Sequence, residues 1–500
     1  MPREQELEPE LRVYGAQIAR PDGHEVFRRH LLLHGIPPEE YLHSAPVLDE
    51  FLGELPAMEA IADFADRVRR VRAADQEGGL PAWCERARDA RKEWRKEAAA
   101  QVAALREAPQ RALLFTTAML HGAHADVVHD ATGLLLRALG TPQDETPLLA
   151  RRDLAERLSE IDASTGRDGH VRFDRPDYDT AVRTHFWDHM PDLRNRLGKW
   201  AARALEQSGP YLAPELRRAL AERLADQYLR TGRRDGLASL AEEWAERGSS
   251  RSGVEAAVHA LTRGLEHRWY GGSFRRLLYD WCTDKRLTPE LAYVLIRVCT
   301  DSLAPTHPDQ AVVRLHHLAR REQGSTAAQE ALCGLVETSG RLRRRMLDRL
   351  TQPASPEADT HLFLRICDPR ALTDPDCATR ALLDEKGVRD CVTAGWARAL
   401  GGVLERPQWQ PYAERWLHSA SAGGRHGGLL LDLLVDAAGR DGTRLAELYA
   451  AARAAEPTSP HGRRRGGETT AVLLRKISAA QGLRPPAAPP RPEPSVGSTP

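Results

Sequence analysis

The sequence predicts an all-α protein, and three observations carry that expectation. Nearly every segment places its apolar residues with helical period, β-branched residues are sparse, and from about Tyr211 to Ala452 helix-length stretches alternate with Gly, Pro, Asp or Ser. A chain of 500 residues suits roughly three domains, or fewer where part of it is an open-ended repeat array.

Taken in order, residues 1–21 read as a flexible N-terminus and 22–107 as a helical region. Its clearest stripe is Trp83, Ala87, Ala90, Trp94, Ala98, Val102 and Leu105, whose steps of three and four keep one helix face apolar. Arg86, Arg88, Arg91, Lys92, Glu93, Arg95, Lys96 and Glu97 fall between them and read as a solvated face, because bases and acids alternate there.

Residues 108–205 read as a compact module. Gln110 to Leu120 and Asp126 to Leu139 form two helices joined at His121-Gly122-Ala123-His124, and Leu148 to Ile161 forms a third. Thr165-Gly166-Arg167-Asp168-Gly169 is turn chemistry, and His170 to Asp174 alternates like a short strand. Pro176 suits a first helical turn, opening a helix with Tyr178, Val182, Phe186 and Trp187.

Residues 206–480 read as a degenerate helical-repeat stack of HEAT or TPR type, with helices at Glu215 to Leu229, Val254 to Leu265, Pro289 to Cys299, Gln310 to Arg320, Ala328 to Val336, Arg341 to Leu350, Ala371 to Leu383 and Leu429 to Ala437. The 34-residue spacing of Cys299, Cys333 and Cys367 reads as coincidence, since their neighbours do not recur. Residues 481–500 are too proline-rich to form a core and read as a disordered tail, with PxxP spacing over Pro485 to Pro494.

Composition narrows the function. The 71 basic and 71 acidic residues cancel, so any nucleic-acid surface must be local. Only Lys92, Lys96, Lys199, Lys285, Lys386 and Lys476 are lysines, so the arginine excess reads as coding bias and says little about phosphate. The seven cysteines are odd in number and scattered, with no CxxC and no zinc spacing, which suits free thiols in a reducing compartment. The opening Met1-Pro2-Arg3-Glu4-Gln5-Glu6 lacks the apolar stretch a signal peptide needs, and no apolar run approaches the ~20 residues of a membrane span. A cytoplasmic location is expected, with no membrane partner.

Catalytic sets are hard to nominate. His185 and His189 share a helix face beside Asp188, but Phe186 stands where a zincin carries its glutamate, and no third ligand presents itself. His30 with His34, and His121, His124 and His129, meet the same objection, and capping explains the pair in the turn. The sequence has no GxSxG elbow and no SxxK set. Gly198-Lys199 has Leu193 where a P-loop needs glycine, so no ATP site of that type is expected. The clusters Arg341, Arg343, Arg344, Arg345 and Arg463-Arg464-Arg465 lack neighbouring stacking aromatics and read as solvated surface.

Three segments carry a family resemblance: Arg111-Ala112-Leu113-Leu114-Phe115, Leu154-Ala155-Glu156-Arg157-Leu158, and Asp168-Gly169-His170-Val171-Arg172-Phe173-Asp174-Arg175-Pro176. With them, Gln110 to Ala204 resembles the winged-helix region of actinobacterial STAND-class signalling NTPases. His24 to Gly35 and Pro37 to Leu55 resemble the helical remainder of such an NTPase. The resemblance implies a winged-helix-like module followed by a superhelix of repeats. It also implies a nucleotide-phosphate sensor just before the wing proline, usually histidine, where this chain has Arg175. A phosphate contact by Arg175 would need an NTPase core supplied from elsewhere, since no Walker motifs accompany it; the residues themselves suggest a helix-start ion pair with Asp177 or Asp179.

The expected function is therefore a non-enzymatic regulatory or scaffold protein, without cofactor or metal, that binds a protein partner through its helical repeats. The alternative is a nucleic-acid-binding regulator acting through the winged helix. It ranks second because Asp126 to Leu139 offers only Arg137, and Arg151, Arg152 and Arg157 face Asp153, Glu156 and Glu160.

Overall fold

A computed structural model describes residues 20–33, 35–36, 45–54, 56, 58–74, 79–142, 145–175, 177–207, 212–247, 251–322, 324–352, 357–374, 380–422, 424–455 and 460–483. The expectations for residues 1–19, 37–44 and 484–500, for His34, Pro176 and Cys377, and for the side chains of Ala90, Arg91, Lys92, Glu93, Arg463, Arg464 and Arg465 lie outside them. Among the described residues the chain is helical apart from one small sheet. It divides into two compact units, Met1–Arg263 and Gly264–Pro500. That boundary falls inside the stretch 206–480 expected as one array, so its helices belong to both units.

The first unit holds α1 (Gly23–Leu33), α2 (Pro46–Gly53), α3 (Met58–Ala74), α4 (Gly79–Ala104), α5 (Ala108–Met119), α6 (Ala125–Leu139), α7 (Leu154–Ser159), β1 (Ala163–Thr165), β2 (Val171–Phe173), α8 (Tyr178–His189), α9 (Arg194–Gln207), α10 (Pro214–Arg230) and α11 (Arg234–Arg247), and most of α12 (Arg251–Glu266). The stripe on α4 is core: Trp83, Ala87, Ala98, Val102 and Leu105 are buried, and Trp94 meets Tyr178 of α8 edge-on. Phe115 of α5 packs on Phe186 of α8 and Trp200 of α9, at ring separations of 5.2 and 5.6 Å. Such offset aromatic contacts carry much of the burial in a helical core.

The sheet corrects two expectations. Leu148 to Ile161 is not one helix: a 3₁₀ turn covers Leu148–Ala150, and Asp153 then caps α7 by accepting the Glu156 N–H at 2.8 Å. A side-chain acceptor there starts a new helix instead of continuing an old one. The strand at His170 to Asp174 has a partner the sequence did not suggest, with Ala163 opposite Phe173 and Thr165 opposite Val171. Its tight turn uses Gly169 at φ +77, where a Cβ would meet His124 Nε2 at 2.7 Å. The α5–α6 connection adds a third rung, because Val171 N–H donates to Ala123 O and Gly122 N–H to Val171 O, at 2.8 and 2.9 Å.

The second unit comprises α13 (Gly271–Thr283), α14 (Pro289–Val298), α15 (Pro308–Ala319), α16 (Ala327–Glu337), α17 (Gly340–Leu350), α18 (Glu357–Ile366), α19 (Pro369–Thr373), α20 (Lys386–Arg398), α21 (Arg406–Ser421), α22 (Gly427–Ala438), α23 (Gly442–Ala454) and α24 (Pro460–Ala480). From α13 to α18 the principal contacts run to the next helix or next but one: α13 to α15, α14 to α16, α15 to α16 and α17, α16 to α17 and α18, and α17 to α18; α17 also meets α20. Ala371 to Leu383 is a further correction, since α19 stops at Thr373 and Leu382–Asp384 is a 3₁₀ turn. Asp374 precedes Pro375, whose ring disfavours helical backbone one residue earlier, and Asp374 is accordingly extended. Among the described residues, no helix is long and apolar enough to cross a membrane.

Candidate functional site: a basic depression in the second unit

Helix α13 buries Phe274, Leu278 and Cys282 and leaves Gly272, Arg275, Arg276, Tyr279 and Asp280 on its other face. Helix α15 buries Ala311, Leu315 and Leu318 and sets Gln310, Arg314 and His317 along the edge facing α13. Spacings of three and four residues on both helices align these polar groups. Between them lies a depression of about 420 Å³ lined by Gly272, Arg275, Arg276, Tyr279, Asp280, Gln310 and Arg314.

Arg314 is only 5% exposed. Its Nη1 donates to Gln310 O at 2.9 Å, its Nη2 donates to Arg275 O, and its guanidinium lies 5.7 Å from the Tyr279 ring centre. Burial pulls its pKa below the usual arginine range. Arg321 closes the other end of α13 by donating to the carbonyls of Cys282, Thr283 and Asp284, acceptors that a helix end leaves without partners.

A buried network borders the depression. The Tyr279 ring meets the His317 ring edge-on at 5.7 Å. Asp359, fully enclosed, accepts from Arg320 Nε at 2.7 Å and lies 2.9 Å from His316 Nε2. Arg349 Nε donates to His316 Nδ1 at 2.7 Å, and Arg349 Nη2 lies 3.3 Å from His317 Nε2. A guanidinium always donates, so His316 is neutral with its proton on Nε2, directed at Asp359. Burial would raise the Asp359 pKa, but the bonds from Arg320 and His316 outweigh it and hold the carboxyl at about 2. Burial, reinforced by Arg349, lowers His317 to about 4. With Nδ1 of His316 occupied and the ring fully enclosed, the imidazole has no free lone pair with which to accept a substrate proton.

The cluster Arg341, Arg343, Arg344 and Arg345 is engaged throughout. Arg341 and Arg345 pair with Asp309 at 2.8 and 2.7 Å, Arg344 pairs with Glu385 at 2.6 Å, and Arg343 donates to Ala371 O. In the first unit, Arg175 pairs with Glu97, lies 4.0 Å from Asp162, and sits over the rings of Trp94 and Tyr178 at 5.5 and 5.8 Å. Asp177 pairs instead with Arg70 and Asp179 with Arg183. The His185 and His189 rings lie 4.7 Å apart, tilted by 41°, His124 caps α6, and Gly198-Lys199 lies inside α9. Among the described residues no group of three His, Cys, Asp or Glu side chains converges for a metal, and the cysteines other than Cys377 are free thiols.

A second buried network was not anticipated. Arg183 donates to Ala118 O at 2.6 Å and to Asp179, while Arg223 donates to Met119 O at 2.8 Å. Burial would raise the Asp179 pKa, but Arg183 outweighs it and leaves the group at about 2; burial, with Arg183 nearby, lowers Arg223 to about 10. Both guanidiniums cover the carbonyl end of α5, where cations are favoured. The only sequence signal for either network was helical spacing, as in His316 with Arg320 or Asp179 with Arg183. Comparison with protein-family models, with curated proteins and with solved structures finds no match to this chain.

Proposed function

We propose that this chain is a non-enzymatic regulatory or scaffold protein that binds a protein partner through its helical repeats, working in the cytoplasm. The observation that carries the reading is the neighbour-to-neighbour packing of α13 to α18, the pattern in which each helix pair buries its apolar face only against adjacent pairs. Exposed aromatic residues support it: Trp269 is 72% exposed with Arg268 stacked 4.7 Å from its ring, and Tyr293 is 47% exposed. Trp, Tyr and Arg are the side chains that most often anchor protein interfaces.

The winged-helix-like part of the reading rests on the order α5, α6, α7, β1, β2 and on the third rung that the α5–α6 connection adds to the hairpin. Nucleic acid remains the second reading. The ion pairs of Arg152 with Glu160 and of Arg172 with Asp168 weigh against it, since those arginines already neutralise carboxylates. Both readings are tested with the full chain. Immobilised protein should retain a discrete protein from native lysate, and Trp269→Ala should weaken that capture. At ~50 mM salt, random duplex DNA should not shift in a gel. A salt-sensitive DNA shift together with capture indifferent to Trp269→Ala would replace the first reading with the second.

A further inference from the structure

We infer that the depression between α13 and α15 is a binding site for a small phosphorylated ligand with at least two negative charges. This goes beyond partner binding and does not depend on it. Three arginines line the depression against one carboxylate, Asp280, which lies 4.0 Å from Arg276. Among the described residues, neither Arg275 nor Arg314 has an acidic partner. The wall of the depression is therefore net cationic, with Asp280 offsetting one of three arginines. That is costly for Arg314, because a buried charge ordinarily has an ion-pair partner.

Arg314 Nε is shielded from solvent and both Nη atoms hold backbone carbonyls, so this side chain gives the depression an uncompensated positive charge and not a free donor. His307, at the start of α15, is held below its usual pKa by burial and then by Arg275 and Arg314, which places it in the same positive field. Gly272 adds room, for a Cβ there would touch only Arg275 Nη2, at 3.7 Å. The Tyr279 hydroxyl and the Gln310 amide supply uncharged donors beside the arginines.

The geometry suits a phosphoryl group better than a carboxylate. Guanidinium forks match the oxygens of a phosphate, and two separated forks, Arg275 and Arg276, favour two adjacent phosphoryl groups over one. A volume of about 420 Å³ accommodates a diphosphate and part of what carries it. No covalent step is implied, since His316 and His317 both face Arg349.

Titration calorimetry on the full chain tests the site, with pyrophosphate, inorganic phosphate and ADP as probes and equimolar sulfate as the ionic control. Pyrophosphate should bind at about one per chain and more tightly than phosphate or sulfate. ADP binding tighter than pyrophosphate would identify a nucleotide, and equal binding a diphosphate group as such. Arg275→Gln should weaken binding about tenfold or more, the loss expected for one charge-assisted contact. Asp280→Asn, at an exposed position, should strengthen binding while leaving the melting temperature unchanged. Lack of pyrophosphate binding at ~1 mM, the weak limit for a specific small-ligand site, would overturn the inference. So would affinities indifferent to both Arg275→Gln and Asp280→Asn, or sulfate binding equal to pyrophosphate. None of these outcomes bears on capture of a protein partner, which Trp269→Ala reports separately.

Discussion

Asp359 shows how much one residue can depend on its neighbours. It is fully enclosed, yet ionised, because Arg320 and His316 both donate to it. Removing one partner of a buried pair strands the other, so Asp359→Ala should cost roughly 3–5 kcal/mol in chemical denaturation. The adjoining histidines give a pH dependence of definite sign. A base whose folded pKa lies below its unfolded one contributes stability that is present above the unfolded value and lost as pH falls. For His317 that window runs from the ordinary 6.5 down to about 4, and for Asp359 from 3.8 down to about 2. The melting temperature should therefore fall continuously on acidification from pH 6.5. His317→Gln, which keeps an acceptor for Arg349, should flatten the upper part of that slope and leave the lower part intact.

At the scale of elements, two helical glycines separate propensity from packing. Gly395 lies inside α20 against the Phe363 ring, where a Cβ would overlap the ring, whereas a Cβ at Gly334 inside α16 meets nothing within 4 Å. Alanine favours either helix by up to about 1 kcal/mol over glycine, while overpacking a core costs about 1–3 kcal/mol. Gly395→Ala should thus lower the melting temperature and Gly334→Ala should raise it, a contrast a thermal scan reads directly. Helix existence was well legible in the sequence: the stripe from Trp83 to Leu105 became core, and Pro289, Gln310, Ala328 and Arg341 each lie at or near a helix start. Boundaries failed where one side chain changed the backbone, as with the Asp153 cap and Pro375, and β1 was missed because Ala163-Ser164-Thr165 lacks the apolar–polar–apolar alternation of Val171-Arg172-Phe173.

For the whole molecule, zero formal charge is built from many local pairs. Arg341 and Arg345 on Asp309, Arg344 on Glu385, Arg175 on Glu97 and Arg172 on Asp168 each cancel where they stand. Little net repulsion then keeps copies apart near the isoelectric point of about 7.3. Turbidity at low salt should peak near that pH and fall on either side.

The sequence by itself determined the helical class, the face each long helix buries, and the balance of charge, because these follow from periodicity and composition that every helix expresses locally. Only the tertiary structure decided which polar groups meet. Arg314 and Arg275 are 39 residues apart, as are Arg320 and Asp359, while His316 and Arg349 are 33 apart. No local rule links them, and it is the packing of α13, α15, α17 and α18 that makes one arginine an ordinary surface charge and another a buried cation without a carboxylate beside it.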